Sequence, residues 1–197
     1  VDPQPEAKTA AKKAVEDALA EKIKAIEANN DLTDEEKATA KQDAQAKATE
    51  AKNNIDAART NDAVTQAKEN GTTEVTDVNP QPEAKPAAKK AIDEKLAEQI
   101  KAIENTPDAT DEEKQAAIDA AKAEAEKAKQ AIDEARTNVE IQTKQEESTA
   151  VIDKTVPAVE SKPNARKAID DEATAKKAAI DARTELSDKA KEVLKQE

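Results

Sequence analysis

The 197-residue sequence lacks cysteine, histidine, methionine and all three aromatic residues, and it contains a single glycine, Gly71. The absence of cysteine excludes a disulfide framework and thiol chemistry. The absence of histidine and cysteine also removes the commonest general base and the best nucleophile. One glycine is too few for a glycine-rich phosphate loop. These absences argue against an enzyme, and we expect no catalytic residues and no cofactor.

Negative charge dominates the chain, because 44 acidic and 32 basic side chains give a net charge of −12. This balance argues against nucleic acid, whose phosphates need a basic surface, and against anionic membrane surfaces. No run of apolar residues is long enough to cross a bilayer. We therefore expect no nucleic-acid partner and no membrane partner.

The three most abundant residues, Ala, Lys and Glu, are all strong helix formers. A chain with 39 % charged residues and few large apolar groups could instead stay disordered. Apolar residues recur at helical spacing, however. We therefore predict an all-α fold with a thin, alanine-rich core.

The sequence repeats itself with a period of 77 residues. The motif PQPEAK at Pro3 returns at Pro80, and the motif TDEEK at Thr33 returns at Thr110. No gap is needed from Pro3 to Asn61, and 37 of these 59 positions are identical in the second copy. Repetition at this scale indicates a linear array of supersecondary units.

A third copy begins near Pro163 and stops within what would be its second helix. We predict three-helix repeats over residues 1–79 and 80–157, and a partial third repeat over 158–197 that holds the first helix and the start of the second. The predicted architecture is a series of three-helix bundles placed end to end as an elongated rod.

Each repeat carries two amphipathic stripes at helical spacing. In the first helix the stripe consists of Val15, Leu19, Ile23 and Ile26, matched by Ile92, Leu96, Ile100 and Ile103. In the second helix it consists of Ala40, Ala44, Ala48, Ala51, Ile55 and Ala58, matched by Ala117, Ala121, Ala125, Ala128, Ile132 and Ala135. The second helix opens with the capping-box pattern Thr-x-x-Glu at Thr33 and again at Thr110.

Gly71 lies in the middle of the predicted third helix. A glycine there could end the helix as a C-cap. Val75 and Val78 continue the apolar spacing beyond it, and Ser148 occupies the matching place in the second copy. We therefore favour a small residue at a tight crossing within one continuous helix.

Prolines mark the boundaries between the copies: Pro80, Pro82, Pro86, Pro157 and Pro163. Proline fixes φ and is tolerated in the first turn of a helix. The boundaries are therefore predicted to be short, stiff linkers, which favours a rod over loosely tethered beads.

The motifs Ala-Lys-Lys-Ala-Ile-Asp at Ala88, Thr-Asp-Glu-Glu-Lys at Thr110 and Ile-Asp-x-Ala-x-Thr-Asn at Ile132 resemble the helical "domain of unknown function" repeats of Gram-positive wall-anchored surface proteins. These are the SasC-like and Ebh-like adhesin stalks of staphylococci and their streptococcal and lactobacillal relatives. The resemblance implies a three-helix bundle used many times between an adhesive region and a wall anchor, with no catalytic residues. The second copy departs from the first with Lys144 and Ser148 in its third helix.

Paired carboxylates are the candidates for acid–base or metal chemistry, and they abound, for example at Glu35-Glu36, Glu112-Glu113, Glu146-Glu147 and Asp170-Asp171. We interpret them as solvated helix surface and as first-turn charge that complements the helix dipole. The acidic turn 30–34 lacks the ligand order of a calcium loop. Lysines lie four residues before acids, as in Lys13-Asp17 and Lys90-Glu94, which indicates surface ion pairs. We expect no metal site.

The sequence therefore predicts a structural stalk that projects a distal binding region from a bacterial cell. We expect an internal fragment of a longer secreted protein that is extracellular, wall-anchored and monomeric. Its partners would be neighbouring repeats of the same chain, with host proteins bound through other regions. Two alternatives stay open, a three-helix module that binds host proteins and contributes to adhesion or biofilm formation, and a disordered spacer.

Overall fold

The computed structural model describes residues 5–196, and within this range the chain is helical with no strand. The described elements are α1 (Pro5–Ala28), α2 (Asp34–Ala57), α3 (Asn61–Thr76), α4 (Ala84–Glu104), α5 (Asp111–Glu134), α6 (Asn138–Asp153), α7 (Ser161–Asp181) and α8 (Asp188–Gln196). The predicted all-α fold, with helical bundles in series, is confirmed. Across residues 5–196, every helix is too short or too polar to cross a membrane.

The chain divides into two compact units. The first comprises the residues up to Glu94 together with Ala125–Ala150, and the second comprises Lys95–Glu124 together with the residues from Val151 onward. Helices α4, α5 and α6 each contribute residues to both units.

In the first unit, α1, α2 and α3 pack against one another around two groups of buried side chains. One group consists of Ala11, Val15, Ala48, Ala51, Ile55, Val64 and Val75, and the other of Ile26, Leu32, Ala40, Ala44 and Val78. The α2 stripe is buried as predicted from Ala40 to Ile55. Because alanine offers little apolar area, the few large residues among these, such as Ile55, supply most of the hydrophobic stabilisation.

The α1 stripe is confirmed at Val15 and Ile26, but Ile23 is only partly buried. The helix advances about 100° per residue, so two successive four-residue steps place Ile23 about 80° around the helix from Val15. That position lies at the edge of the stripe. Ile100 is partly buried in the same way, eight residues after Ile92. Ile23 and Ile100 therefore lie at the edge of their stripes, and each is only partly buried.

Helix α3 runs without a break through Gly71, as predicted. A Cβ atom at Gly71 would collide with the Ala51 side chain and would lie 3.3 Å from the Ala51 Cα atom. The absence of a side chain at Gly71 therefore lets α3 cross α2 at close range.

A lysine closes the turn of the first helical hairpin in every copy. The Nζ atom of Lys37 donates to the carbonyl oxygen of Glu27 at 3.1 Å. Lys114 donates to Glu104 at 2.8 Å, and Lys191 donates to Asp181 at 3.2 Å. Each bond satisfies a carbonyl near the C-terminus of the first helix that has no partner within the helix.

In the second unit, Ile103, Ala117, Ile118 and Ala121 form a buried group, with Leu96 and Ile100 packed against it. The Gln99 side-chain amide donates to the carbonyl oxygen of Thr155 at 2.6 Å. Helices α7 and α8 lie where the partial third repeat is predicted. They contact each other, but neither helix has a buried residue.

Candidate functional site: the joint between successive repeats

A capping box opens the second helix of both complete copies, as predicted. In α2, the backbone N–H of Glu36 donates to the Thr33 hydroxyl at 3.2 Å, and the Thr33 N–H donates to Glu36 Oε2 at 2.9 Å. The Thr110 N–H donates to Glu113 Oε2 at 2.8 Å, and the Glu113 N–H donates to the Thr110 hydroxyl at 3.2 Å. In each box, one oxygen of the glutamate carboxylate remains for another donor.

In the first unit, the second oxygen of Glu36 accepts hydrogen bonds from the next copy. The backbone N–H groups of Glu83 and Ala84 donate to Glu36 Oε1 at 2.9 and 3.0 Å. Ala84 is the first residue of α4, so these amides belong to a helix end whose N–H groups lack partners within the helix. One carboxylate therefore caps two helices, α2 of one copy and α4 of the next.

The second unit repeats this arrangement 77 residues later. The N–H groups of Glu160 and Ser161 donate to Glu113 Oε1 at 3.1 and 2.9 Å, and the Ser161 hydroxyl adds a third bond at 2.7 Å. Beside this contact, Arg166 pairs with Asp108 at 2.7 Å. We call the set of contacts around Glu36 the first joint and the set around Glu113 the second joint.

The hydrogen bonds stabilise the ionised form of both glutamates. At Glu113, the backbone N–H of Thr110, followed by the hydroxyl and N–H of Ser161, lowers the pKa to about 2. At Glu36, partial burial raises the pKa, but the N–H groups of Ala84, Thr33 and Glu83 outweigh it and hold the pKa below its ordinary value. Both carboxylates are therefore charged acceptors at neutral pH, and charge-assisted hydrogen bonds are stronger than neutral ones.

Lys85 is a buried charge at the first joint, with 5 % of its surface exposed. Its Nζ atom donates to the carbonyl oxygen of Asn30 at 2.8 Å and to that of Asp133 at 2.5 Å. Asn30 belongs to the hairpin turn of the first copy, and Asp133 lies at the end of α5 in the second. Because a buried cation is costly unless its donors find partners, the two carbonyls fix Lys85 in place between the copies.

The α5–α6 loop completes the first joint. The Asp34 N–H donates to the carbonyl oxygen of Arg136 at 2.7 Å, and the Asn138 N–H donates to Glu35 Oε2 at 3.1 Å. The Arg136 guanidinium lies 3.8 Å from the Asp34 carboxylate. Main-chain amides and carbonyls thus supply most of the contacts across this joint.

The third copy differs at the two positions whose side chains, in the first copy, accept hydrogen bonds from the following copy. Lys189 occupies the place of Glu35, and Ala190 occupies the place of Glu36. The Ala190 N–H still donates to the Ser187 hydroxyl, at 3.3 Å, so half of the capping box persists. Ala190 has no carboxylate that could accept a hydrogen bond from the N-cap amide or from the first amides of another copy.

The other carboxylate pairs lie on exposed helix surface. The Gln142 side chain donates to Glu146, Lys144 pairs with Glu147, and Lys167 pairs with Asp171. The predicted pairs Lys13–Asp17 and Lys90–Glu94 are present. In the acidic turn 30–34, Thr33 serves as a helix cap. Over residues 5–196, His, Cys, Asp and Glu side chains form no group of three or more that could hold a metal ion.

The second role of the capping-box glutamates and the role of Lys85 were not predicted from the sequence. One signal for Lys85 was available, because a lysine recurs at Lys8, Lys85 and Lys162, once in each copy. The partners of these side chains lie 47 to 55 residues away along the chain and cannot be deduced from spacing.

The 77-residue spacing of the joints agrees with a family comparison. The model of a Domain of Unknown Function, DUF1542, matches residues 7–83 and again residues 84–160. The chain belongs to the DUF1542 family. The predicted resemblance is thereby confirmed.

Curated proteins of Staphylococcus aureus are similar to the chain. The chain is 33 % identical over 192 residues to the extracellular matrix-binding protein EbhA of strain Newman and to the extracellular matrix-binding protein ebh of strain NCTC 8325. The match covers 96 % of this chain but 6 % of the first protein and 2 % of the second. The DUF1542 chain thus spans a small fraction of the length of these relatives. No solved structure matches it.

Proposed function

We propose that the chain is a spacer segment of a bacterial cell-wall-anchored surface protein, where tandem repeats project a distal adhesive region from the cell. Membership of DUF1542 and the similarity to staphylococcal proteins named for binding extracellular matrix support this assignment. On this proposal the chain is extracellular, is no enzyme and needs no cofactor. It acts as a monomer whose partners are its own neighbouring repeats.

The observation that carries the proposal is the recurrence of the joint. The same carboxylate contact is made at Glu36 and at Glu113, each time to the first amides of the following first helix. Hydrogen bonds from both sides restrict rotation at the boundary far more than a flexible linker would. A spacer benefits from this restriction, because reach then increases with every added copy.

The proposal includes the predicted division into repeats at 1–79, 80–157 and 158–197, arranged as an elongated rod. Small-angle X-ray scattering of the whole chain tests it. A compact globule of this length has a radius of gyration of about 16 Å. We expect a clearly larger value and an asymmetric distance distribution, with high helicity by circular dichroism. A value near that of the globule would contradict the rod, and low helicity would favour the disordered spacer.

A second function is favoured by the name of the similar staphylococcal proteins, extracellular matrix-binding protein. The chain itself would then bind a host protein through an exposed helix face. Binding to immobilised extracellular matrix and to plasma proteins separates the two proposals. Saturable binding by this chain would support the binding module, whereas retention equal to that on a blank surface supports the spacer.

A further inference from the structure

The most informative unexplained feature is that two of the three copies carry Glu-Glu just after the hairpin cap, whereas the third carries Lys189-Ala190. At the first joint, both glutamates contact the following copy. Glu36 receives the amides that begin α4, and Glu35 receives the Asn138 amide that begins α6. The two residues therefore bind two helix N-termini of the next repeat.

We infer that this residue pair is the specificity determinant that couples a repeat to the copy that follows it. The partner is a second DUF1542 repeat, and it is contacted at the end of its bundle where the first and third helices begin. The two glutamate carboxylates accept hydrogen bonds from those amides. Their negative charge is also stabilised by the positive N-terminal end of each helix dipole.

Lys-Ala reverses this chemistry. The ammonium of a lysine at the position of Glu35 repels the positive N-terminal end of a docking helix. Alanine at the position of Glu36 offers no acceptor to the amides that Glu36 and Glu113 receive. A repeat with Lys-Ala after its hairpin cap therefore keeps its own fold but does not hold a following repeat in a fixed orientation.

The absence of cysteine allows a direct test on the whole chain. Gln45 on α2 and Gln130 on α5 are exposed, so Gln45→Cys and Gln130→Cys place two spin labels on either side of the first joint. Electron–electron double resonance then measures the distribution of distances between the labels. We expect one narrow peak for the labelled parent protein.

Glu36→Ala should broaden the peak, and the pair Glu35→Lys with Glu36→Ala that copies the third repeat should broaden it most, because it also removes the Glu35 contact to the Asn138 amide. Ala84→Pro provides a variant that leaves the capping box of α2 intact. Proline is tolerated as the first residue of a helix but removes the amide that donates to Glu36. This variant should also broaden the distribution, although less, because the Glu83 amide remains.

Matched controls lie at the second joint, which the labels do not span. Glu113→Ala and Ser161→Pro make the equivalent changes there and should leave the peak as narrow as in the parent. An unchanged peak in both Glu36→Ala and Ala84→Pro would overturn the inference. So would broadening by Glu113→Ala as large as that by Glu36→Ala, because loss of any capping box would then loosen the repeat itself.

This inference goes beyond the proposed function, since the same coupling would serve an array of host-binding modules. The label distances report only the joint, whereas scattering and host-protein binding report the function. The two ideas can therefore fail separately.

Discussion

The first hairpin of the first copy, α1–α2, and the hairpin α7–α8 are built from equivalent residues in different surroundings. Both turns are closed by the same lysine, Lys37 in one and Lys191 in the other. In the first copy, α3 packs against the hairpin and Val15 is fully buried. Its equivalent in α7, Ile169, is 69 % exposed.

The difference shows which forces act at each level. Helix propensity, caps and the turn lysine are local, and they are present in both hairpins. Burial of the apolar stripe is a tertiary contribution that α3 supplies. The equivalent lysines of two copies also differ in burial. Lys85 is buried and donates to two carbonyl oxygens. Lys162 is exposed, and its Nζ atom donates to the carbonyl oxygen of Ala109 at 3.4 Å.

The sharpest test uses the same substitution in both surroundings. Ile92 and Ile169 are equivalent isoleucines, with 0 % and 69 % of their surface exposed. Ile92→Ala should lower the free energy of unfolding by about 2–5 kcal/mol, because it leaves a cavity in the core. Ile169→Ala should change it by less than about 0.5 kcal/mol. Urea unfolding followed by circular dichroism measures both, and equal effects would show that the two sites are packed alike.

A second test compares the joint lysines. Lys85→Met removes the buried Nζ donor to the carbonyl oxygens of Asn30 and Asp133, so we expect the free energy of unfolding to fall by about 1–3 kcal/mol. Lys162→Met should have an effect within about 0.5 kcal/mol, since that side chain is exposed. The same unfolding measurement applies. Equal stability of the Lys85→Met variant and the parent would mean that the buried charge contributes nothing at the joint.

The close crossing of α3 can be tested by the sign of an effect. Helix propensity alone predicts that Gly71→Ala stabilises the protein by about 1 kcal/mol. The new Cβ atom would collide with Ala51, and overpacking of this kind costs about 1–3 kcal/mol. We therefore expect Gly71→Ala to lower the free energy of unfolding by up to about 2 kcal/mol. The midpoint of thermal unfolding measures this change. Ser148→Ala, at the equivalent position of α6, should not destabilise, and a stabilised Gly71→Ala protein would refute the tight crossing.

The smallest expected effect is the pH dependence of the stability that Glu113 contributes. The pKa of Glu113 is lowered from its ordinary value of 4.5 to about 2, so the folded joint favours the ionised carboxylate. The stabilisation is complete above about pH 4.5 and is lost as the pH falls towards 2. The difference in unfolding midpoint between the parent and Glu113→Ala should therefore be constant near neutral pH and shrink below pH 4.5. The neighbouring Asp108–Arg166 pair is present in both proteins, so its own titration cancels. A difference that grew in acid would contradict this assignment.

Much of each repeat could be predicted from its sequence because the relevant signals are local. The capping box at Thr33, the alanine stripe of α2 and the continuous helix through Gly71 all depend on neighbours within a few turns. The partial burial of Ile23 is also a matter of helix geometry, and it becomes clear once the angle around α1 is counted. The boundaries of the repeats stay a prediction.

The joint could be predicted only in part. The hydrogen bond from the Thr33 N–H to the first oxygen of Glu36 could be predicted from the Thr-x-x-Glu pattern, because Thr33 is only three residues away. The second oxygen binds amides 47 and 48 residues further along, and their position depends on how the whole first bundle ends. The linker prolines predict where the copies meet, and that boundary stays a prediction.

The amides received by Glu36 and Glu113 are main-chain groups, and the residues that carry them differ, since Ala84 in one copy is Ser161 in the next. Recognition of this kind tolerates sequence drift at the receiving end. A duplicate of either of the first two copies would carry both halves of the contact, the glutamate and the first-helix amides, so it could join a neighbouring copy without further sequence change.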